Sequence, residues 1–296
     1  MESKLKFCAV VNANALRNQK LLNQVIDLLK TNHEIEIFET KSKEEARDIF
    51  KKLSLKLFDR LIITGGDGSF NFAINEIIKY PSLSTKELGY IPSGTANILG
   101  IEAKIKNNAR SVYDLLVSNN VKKIQLSKAN DQYFFLMAGI GFDGQIVEAV
   151  NSSVKRYLGK LAFIYKSLTH FIFLKPNQMM VTSNNETIDA NWVLSTNAKY
   201  YGGKYSITSK TGLFEKGLIT YAFVNLTRLK LIYYLFLSVF KGDLSGAKDI
   251  RVFQSNKISI KKINHSLPVQ IDGDDTGRIK EIQIEQTDKF VNLLSN

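Results

Sequence analysis

The hydrophobic residues in the first third of the chain follow two alternating patterns. Short apolar or alternating runs, typical of β-strands, occur at residues 7–11, 34–38, 59–64 and 88–91. Between them, apolar positions three or four residues apart, typical of helices, occur at residues 21–29, 43–53 and 69–80. This strand–helix alternation predicts a parallel sheet with helices on its faces. Ligands of such sheets bind at the carboxyl ends of the strands, where each strand runs into a loop.

After about residue 121 the pattern changes to short strand-like runs separated by turn residues. These runs occur at residues 132–137, 179–182, 192–196, 218–224, 257–263, 269–271 and 279–285. They predict a mostly β domain, a sandwich, with helical insertions near residues 153–173 and 227–241. The predicted fold class is therefore α/β plus all-β, with an α/β domain at residues 1–125 and a β-sandwich domain at residues 126–285.

Composition narrows the class of protein. Apolar residues make up 44% of the 296 residues, which excludes general disorder. The single cysteine, Cys8, excludes a disulfide framework within the chain and a zinc site built from cysteines, and three histidines argue against a His-rich one. Neither the N-terminus nor the two most apolar windows, residues 157–174 and 229–240, has the pattern of a signal peptide or a spanning helix. We therefore expect a cytoplasmic protein.

The charge of the chain is strongly positive, with 40 basic residues against 28 acidic ones and a formal net charge of +12. Such a balance predicts anionic partners: a nucleotide, a nucleic acid or an acidic membrane face. Nucleic acid is the least favoured of the three, because aromatic residues are not interleaved with lysine and arginine and no recognised binding motif occurs. A peripheral position at the membrane fits the same charge.

The strongest local motif is Gly65-Gly66-Asp67-Gly68-Ser69, which follows an apolar strand and opens a helical run. Glycines allow backbone N–H groups to approach an anion, and a helix start adds unpaired N–H donors and a positive dipole end. The motif is neither a Walker A loop nor a dinucleotide-binding fingerprint. The motif is explained equally well as a phosphate-binding loop and as an ordinary tight turn.

A second motif, Pro92-Ser93-Gly94-Thr95-Ala96-Asn97, again follows a predicted strand and supplies a glycine, hydroxyls and an amide. Taken alone, it is better explained as a turn that caps a helix, with Thr95 or Asn97 as the N-cap. Both motifs follow strands of one predicted sheet, so together they could clamp a triphosphate from two sides.

A third motif, Asp272-Gly273-Asp274, lies between two predicted strands. An Asp-Gly pair in this position is a strong hairpin signal, so a solvated turn is the favoured reading of the pattern alone. The functional alternative is a carboxylate that accepts a proton from a substrate hydroxyl, with a second acid nearby to hold a cation.

The order of the motifs resembles the diacylglycerol kinase catalytic family, which includes bacterial lipid kinases and the sphingosine and ceramide kinases. The resemblance rests on residues 65–69, 92–97, 139–143, 156–162, 197–203 and 270–274. It covers nearly the whole chain in the right order, and it is strongest with the bacterial soluble branch.

The resemblance implies a nucleotide-binding α/β domain and a C-terminal β-sandwich, with the active site in the cleft between them. The final strand of such proteins usually returns to the first domain, which would place residues 286–296 there. The implied reaction is transfer of the γ-phosphoryl group of ATP, with Mg²⁺, to a hydroxyl of a lipid such as diacylglycerol. This activity would place the protein in phospholipid metabolism.

The resemblance also implies roles for individual residues. Asp272 matches the general base. Asp67 and Asp274 match acids of the magnesium network, and Glu215 is the one acid present where the family often has two for a structural magnesium. The residues expected at the ATP site are Asn12, Thr40, Gly65, Gly66, Asp67, Gly68, Ser69, Asn71, Ser93, Gly94, Thr95 and Asn97.

Other interpretations stay open at this point. An NAD kinase-like phosphotransferase would use a similar glycine loop and domain pair, and a non-catalytic protein could bind nucleotide or anionic lipid. Residues 158–173 and 229–240 could form a pocket or rim for acyl chains, although core packing of amphipathic helices is favoured for most of them. Basic residues could dock the protein on anionic lipid, and the edge strands of a sandwich make a homodimer reasonable.

Overall fold

The computed structural model describes residues 4–13, 18–150, 178–262 and 266–296. The chain divides into two compact units. The first consists of Met1–Gln125 and Lys289–Asn296, and the second of Leu126–Asp288. The helical insertion expected near residues 153–173 lies outside the described residues.

The first unit is built on a parallel sheet. Its strands are β1 (Lys6–Asn12), β2 (Glu34–Thr40), β3 (Arg60–Gly65), β4 (Glu87–Pro92) and the C-terminal end of β18 (Glu281–Leu294). They follow the order β2-β1-β3-β4-β18, and each neighbouring pair in this unit is parallel. Asn292 and Leu293 of β18 lie opposite Glu87 and Leu88 of β4. The end of the chain is therefore a strand of the first sheet.

Helices connect these strands and supply the rest of the core. They are α1 (Gln19–Asn32), α2 (Lys43–Leu53), α3 (Asp67–Ile77), α4 (Pro81–Ser84), α5 (Ile98–Glu102) and α6 (Ala109–Val117). The side chains of Asn18, Ser42 and Asn108 cap α1, α2 and α6 by accepting a backbone N–H of the first turn. Buried Leu22 and Val25 of α1 belong to a core cluster that includes residues of β1, β3 and α6.

The described part of the second unit contains two large β-sheets, which form its core, and one separate two-stranded sheet. Its strands are β5 (Val121–Ala129, which begins in the first unit), β6 (Gln132–Phe134), β7 (Met137–Gly141), β8 (Met179–Ser183), β9 (Glu186–Ala190), β10 (Trp192–Thr196), β11 (Tyr200–Tyr201), β12 (Tyr205–Ser206), β13 (Ile219–Phe223), β14 (Ile250–Gln254), β15 (Lys257–Lys261), β16 (Leu267–Ile271) and β17 (Asp274–Ile279). One sheet has the order β14-β13-β10-β7-β16-β17 and is antiparallel throughout. The other contains the first part of β18 with β15, β8 and β9, and β5 pairs with both β18 and β6. The described helices are α7 (Phe142–Val150) and α8 (Arg228–Phe240).

Side chains from both sheets of the second unit meet in one core. Ile140 and Val269 of the first sheet and Ile258 and Ile282 of the second belong to the same buried cluster. This arrangement confirms the predicted sandwich, and with the parallel sheet of the first unit it confirms the predicted fold class. In the described part of the chain, no helix has both the length and the apolar character needed to cross a membrane.

Two details differ from the sequence prediction. The strand predicted at residues 132–137 is broken into β6 and β7, because the backbone N–H groups of Phe135 and Leu136 donate to the carboxylate of Asp272. Core packing, expected for most of residues 158–173 and 229–240, does not hold for half of the second window, and the first window lies outside the described residues. Six large apolar side chains of α8 are exposed, namely Leu229, Ile232, Tyr233, Phe236, Val239 and Phe240.

Gly144 tests the packing of α7 against β16. A Cβ atom at Gly144 would lie 2.3 Å from the carbonyl oxygen of Pro268, which is backbone and cannot turn aside. We expect Gly144→Ala to lower the free energy of unfolding of the second unit by about 1–3 kcal/mol. Urea unfolding followed by the fluorescence of Trp192, the one tryptophan of the chain, measures this because Trp192 lies in β10 of the same unit.

Gly246→Ala is the matched control for this substitution. A Cβ atom there would meet no atom within 4 Å, so the control should leave the unfolding midpoint nearly unchanged. Equal midpoints for the two variants would show that α7 can move away from β16 at little cost.

Candidate functional site

The predicted nucleotide residues of the first unit lie at one edge of its sheet. Asn12 is paired with Thr40 and Gly65 with Pro92, so β1 to β4 all end at this edge. The Nδ2 atom of Asn12 donates to Oγ of Ser69 at 3.1 Å, which joins the end of β1 to the loop after β3. The structure therefore brings the loops after β1, β3 and β4 together at the carboxyl end of the sheet.

The first glycine loop, residues 65–69, runs directly into a helix. Gly65 has a φ of +154°, and a Cβ atom there would lie 2.5 Å from Cβ of Ser69. Gly66 is the N-cap of α3, so the helix begins at Asp67, two residues before the predicted start. The first N–H groups of an α-helix have no acceptor within the helix, and its N-terminus carries partial positive charge. This loop can therefore bind a phosphate group.

The second glycine loop, residues 92–97, packs directly against the first. A Cβ atom added to Gly94 would lie 2.4 Å from Cα of Gly66. The N–H of Ser93 donates to the carbonyl oxygen of Gly65 at 2.9 Å. The two backbones approach this closely because neither loop has a side chain at the contact. The pairing of the two motifs, which sequence spacing only suggested, is a direct backbone contact.

Asp67 holds the second loop in place. Its Oδ2 and Oδ1 atoms accept the backbone N–H groups of Ile98 and Leu99 at 2.9 and 3.0 Å. These are the first residues of α5, so Asp67 caps that helix from a position 31 residues earlier in the chain. Asn97 occupies the N-cap position predicted for it, but its side chain makes no cap hydrogen bond.

Asn97 and Tyr90 fix the shape of the second loop. Asn97 has a φ of +50°, and its side chain accepts from the N–H of Gly94 at 2.9 Å and donates to the carbonyl oxygen of Gly94 at 3.1 Å. The hydroxyl of Tyr90 lies 3.0 Å from the carbonyl oxygen of Gly65 and 3.1 Å from Oδ1 of Asn97. Burial, and then the charge of Asp67, raises the pKa of Tyr90 well above its usual value, so this hydroxyl stays protonated.

The remaining predicted nucleotide residues have varied surroundings. Gly68 and Thr95 are partly exposed, and Thr40 is buried with its hydroxyl 3.5 Å from the carbonyl oxygen of Val11. The side chain of Asn71 is buried and accepts from Asn75. The hydroxyl of Ser93 is buried without a hydrogen-bond partner in the described part of the chain. Their assignment to ATP stays a prediction.

In the second unit, Asp272 occupies a hairpin turn. Asp272 and Gly273 join β16 to β17 with φ angles of 47° and 83°, as expected for a two-residue loop. The carboxylate is nonetheless only 3% exposed, so the turn is not the solvated one that the pattern favoured. It accepts the backbone N–H groups of Phe135, Leu136 and Met137 at 3.0, 3.0 and 2.8 Å. These bonds compensate its burial and fix its orientation.

A buried hydrogen-bond network supports this turn. The N–H of Gly273 donates to Oε1 of Gln270 at 2.8 Å, and Nε2 of Gln270 donates to Oδ2 of Asp143 at 2.6 Å. The hydroxyl of Tyr201 donates to the other oxygen of Asp143. The sequence pattern does not predict this network, because its members come from three separate segments of the chain.

The glycines that precede Asp143 in the sequence are the feature from which this network could have been predicted. A Cβ atom at Gly139 would lie 1.9 Å from Oδ2 of Asp143 and 2.7 Å from Nε2 of Gln270. Glycine at this position therefore leaves room for the carboxylate. Burial raises the pKa of Asp143 to about 6, against the opposing effect of the hydrogen bonds from Tyr201 and Gln270.

The predicted metal residues of the second unit have different surroundings. Glu215 is exposed on a turn, and Asp274 is half-buried at the start of β17. Within the ranges that the structure describes, no group of three or more histidine, cysteine or acidic side chains could hold a metal ion. The roles of Asp67, Asp274 and Glu215 toward magnesium stay predictions.

The two units together define a class of protein: a parallel α/β unit with paired glycine loops, followed by a β-sandwich that carries a buried acidic turn. Two family descriptions match this chain. "Diacylglycerol kinase catalytic domain" matches residues 6–129, and "YegS C-terminal NAD kinase beta sandwich-like domain" matches residues 137–289. The chain therefore belongs to the diacylglycerol kinase family, in the two-domain form with a YegS-type C-terminal domain.

Individual relatives agree with this assignment. A Shewanella frigidimarina protein described as a "Probable lipid kinase YegS-like" is 26% identical over 275 residues, which cover 90% of this chain and 86% of the relative. A Staphylococcus aureus diacylglycerol kinase is 22% identical over 270 residues, covering 88% and 82%. The crystal structure of a diacylglycerol kinase from Bacillus anthracis has the same fold, with a TM-score of 0.80, 22% identity and coverage of 100% and 99%.

The raised pKa of Asp143 predicts how the stability of the second unit depends on pH. The folded protein holds this proton up to about pH 6, whereas an unfolded Asp loses it near pH 4. The stability that Asp143 contributes is thus full below about pH 4 and is lost as the pH rises through about 6. We expect the unfolding free energy of the wild type, minus that of Asp143→Asn, to fall by roughly 2–3 kcal/mol between these limits.

Urea unfolding followed by Trp192 fluorescence at several pH values measures this difference. Subtracting the variant removes the contribution of other carboxylates, provided that they titrate alike in both proteins. If the unfolding free energies of the wild type and Asp143→Asn change in parallel from pH 4 to pH 8, the pKa assigned to Asp143 is contradicted.

Proposed function

We propose that this protein transfers the γ-phosphoryl group of ATP to a hydroxyl of a lipid, such as diacylglycerol, with Mg²⁺ bound to the phosphates. The observation that carries the proposal is the backbone contact of Gly66 with Gly94 beside the N-terminus of α3. A site built from glycine backbone and a helix start suits a chain of phosphates better than it suits an apolar or cationic ligand.

The glycine loops would bind and orient the nucleotide. Phosphoryl transfer has a loose transition state, so positioning and neutralisation of charge supply most of the acceleration. The N–H groups of the first turn of α3 would donate to phosphate oxygens, and Asn12 and Ser69, which already contact each other, would line the same edge. Asp67 and Tyr90 would support nucleotide binding indirectly, because their hydrogen bonds hold the second loop against the first.

Magnesium fits this site as an ion bound mainly by substrate. Mg²⁺ in kinase sites is usually held by one or two carboxylates together with phosphate oxygens and water, so a cluster of three protein ligands is not required. Asp274 and Asp67, the latter in addition to its bonds to the start of α5, are the residues proposed to take part. When bound, the ion would neutralise charge on the phosphates.

Asp272 is the proposed general base. Its carboxylate is held by the N–H groups of residues 135–137, of which two donate to Oδ1 and one, from Phe135, donates to Oδ2. A general base in this reaction does not need a strongly raised pKa, because the attacking hydroxyl gains alkoxide character late in a loose transition state.

A nicotinamide nucleotide is the second candidate acceptor, because the family description of the C-terminal domain likens it to the sandwich of NAD kinases. The names of the relatives favour a lipid. Radiolabelled ATP with Mg²⁺, supplied with diacylglycerol, other lipid alcohols or NAD, separates the two. We expect label in a lipid product. Label in NADP alone would overturn the proposed acceptor, and no label in any product would overturn the proposed activity.

Gly94→Ala tests the nucleotide half of the site. The new Cβ atom would collide with Cα of Gly66 and push the two loops apart. We expect the dissociation constant for ATP to rise at least about tenfold, which corresponds to about 1.4 kcal/mol of lost binding. Calorimetric titration with ATP and Mg²⁺ measures it.

Gly100→Ala is the matched control on the same segment. Its Cβ atom would meet Pro92 at 3.6 Å, an ordinary contact, so affinity for ATP should stay within about twofold of the wild type. If both variants bind ATP as the wild type does, the loops do not form the phosphate site.

Asp272→Asn tests the catalytic half. Removal of a general base typically costs 10²- to 10⁴-fold in rate, so kcat should fall by roughly that factor while the dissociation constant for ATP changes less than about threefold. Asp275→Asn, in the same hairpin, is the control and should keep most of the activity. Equal losses of ATP affinity and turnover would contradict the assigned role.

A further inference from the structure

Helix α8 carries an apolar face that stays exposed among the residues that the structure describes. Its inner face is well packed: Tyr234 lies against Phe223 with ring centroids 5.2 Å apart, and Oγ of Ser238 donates to the carbonyl oxygen of Ser206 at 2.8 Å. Leu237 is buried as well. The helix is therefore packed against the second unit by one side, and the described part of the chain leaves its other side exposed.

The exposed side chains form one stripe along α8. Leu229, Ile232, Tyr233, Phe236, Val239 and Phe240 follow the three- and four-residue spacing of a helix face and are between 47% and 79% exposed. Single exposed apolar residues are normal on soluble proteins, but a contiguous apolar stripe marks a surface that binds something. We define these six residues as the α8 stripe.

The charges around the α8 stripe indicate what it binds. The sequence of α8 contains no acidic residue, and exposed Arg228 and Lys241 stand at its two ends. Nearby Asp249 is paired with Lys230 at 3.1 Å, and Asp243 accepts from Ser209 and Ser245. An apolar stripe with basic residues at both ends is the pattern of a helix that lies in the interface of an anionic membrane.

A second copy of the chain is a poorer occupant. Pairing two α8 stripes by a twofold axis would bring Arg228 and Lys241 of both copies to the same interface without an acidic partner on either helix. Two molecules that each carry a net charge of +12 also repel one another. An anionic lipid surface instead compensates the charge and covers the apolar side chains at the same time.

We propose that the α8 stripe, with Arg228 and Lys241, docks the protein on an anionic phospholipid bilayer by inserting its apolar side chains below the headgroups. The inference rests on the proposed lipid kinase function for its purpose, because an acceptor embedded in a bilayer must be met at the surface. Binding itself needs neither ATP nor turnover.

Vesicle sedimentation with the full chain tests the docking surface directly. The probe is phosphatidylcholine vesicles with and without about one third phosphatidylglycerol, in the absence of ATP. We expect binding to the anionic vesicles that Ile232→Ser/Phe236→Ser weakens at least about tenfold. Arg228→Gln and Lys241→Gln should each weaken it about fivefold, since a basic residue near an anionic surface contributes about 1 kcal/mol.

Leu55→Ser/Leu57→Ser is the matched control, because it also removes two exposed, large apolar side chains, but from the first unit. It should bind vesicles as the wild type does. The proposal is overturned if the Ile232→Ser/Phe236→Ser variant binds like the wild type, or if phosphatidylcholine alone binds equally well. It is also overturned if the wild type sediments as a dimer that this variant dissociates while vesicle binding is unchanged.

A second readout separates this inference from the proposed function. On a short-chain, water-soluble diacylglycerol, Ile232→Ser/Phe236→Ser should keep wild-type turnover, whereas on long-chain diacylglycerol in anionic vesicles turnover should fall in step with binding. Absence of turnover on every acceptor, with vesicle binding intact, would refute the kinase proposal and leave the docking surface standing. Equal loss on both acceptors would refute the docking role of the stripe.

Discussion

The contact between two glycine backbones is the constraint on which the first unit depends. Gly66 and Gly94 can touch only because neither has a Cβ atom, and their contact brings the loop after β3 against the loop after β4. Asp67 and Tyr90 then secure the arrangement through bonds to the start of α5 and to Gly65. Asp67, an acid expected to serve a metal, thus has a structural role, because its carboxylate caps α5. The backbone donors of the loops are held in place before any ligand arrives, which lowers the ordering cost of binding.

In the second unit, the corresponding constraint is a buried carboxylate. Asp272 is buried in a tight hairpin, where an uncompensated charge would be costly, and three consecutive N–H groups compensate it. The same three donors break the strand that the sequence predicted at residues 132–137. Behind the turn, Gln270 and Asp143 continue the hydrogen bonds into the sandwich. A residue proposed to accept a proton is therefore positioned by fixed dipoles rather than by a flexible side-chain contact.

Much of this architecture could be predicted from periodicity and turn chemistry. Helix α2 occupies the predicted residues 43–53, and the Asp-Gly pair at residue 272 forms the predicted hairpin. What could not be predicted depends on contacts distant in sequence. Asp67 caps a helix 31 residues away, and Tyr201 reaches Asp143 across 58 residues. The exposure of the α8 stripe was missed for another reason: apolar helical spacing shows that a face is apolar, but not whether protein covers it.

These features describe a member of the diacylglycerol kinase family whose proposed phosphate site is made of backbone and whose helix α8 carries an exposed apolar face. The central claim is that ATP binds where the two glycine loops meet. Hydrogen–deuterium exchange with and without ATP and Mg²⁺ tests it most directly, because bound phosphate should slow exchange of the amides it contacts. We predict that ATP and Mg²⁺ slow amide exchange at residues 66–69 and 93–95 and do not change amide exchange in α8. Unaltered exchange in both loops at saturating ATP, or protection confined to other segments, would contradict the claim.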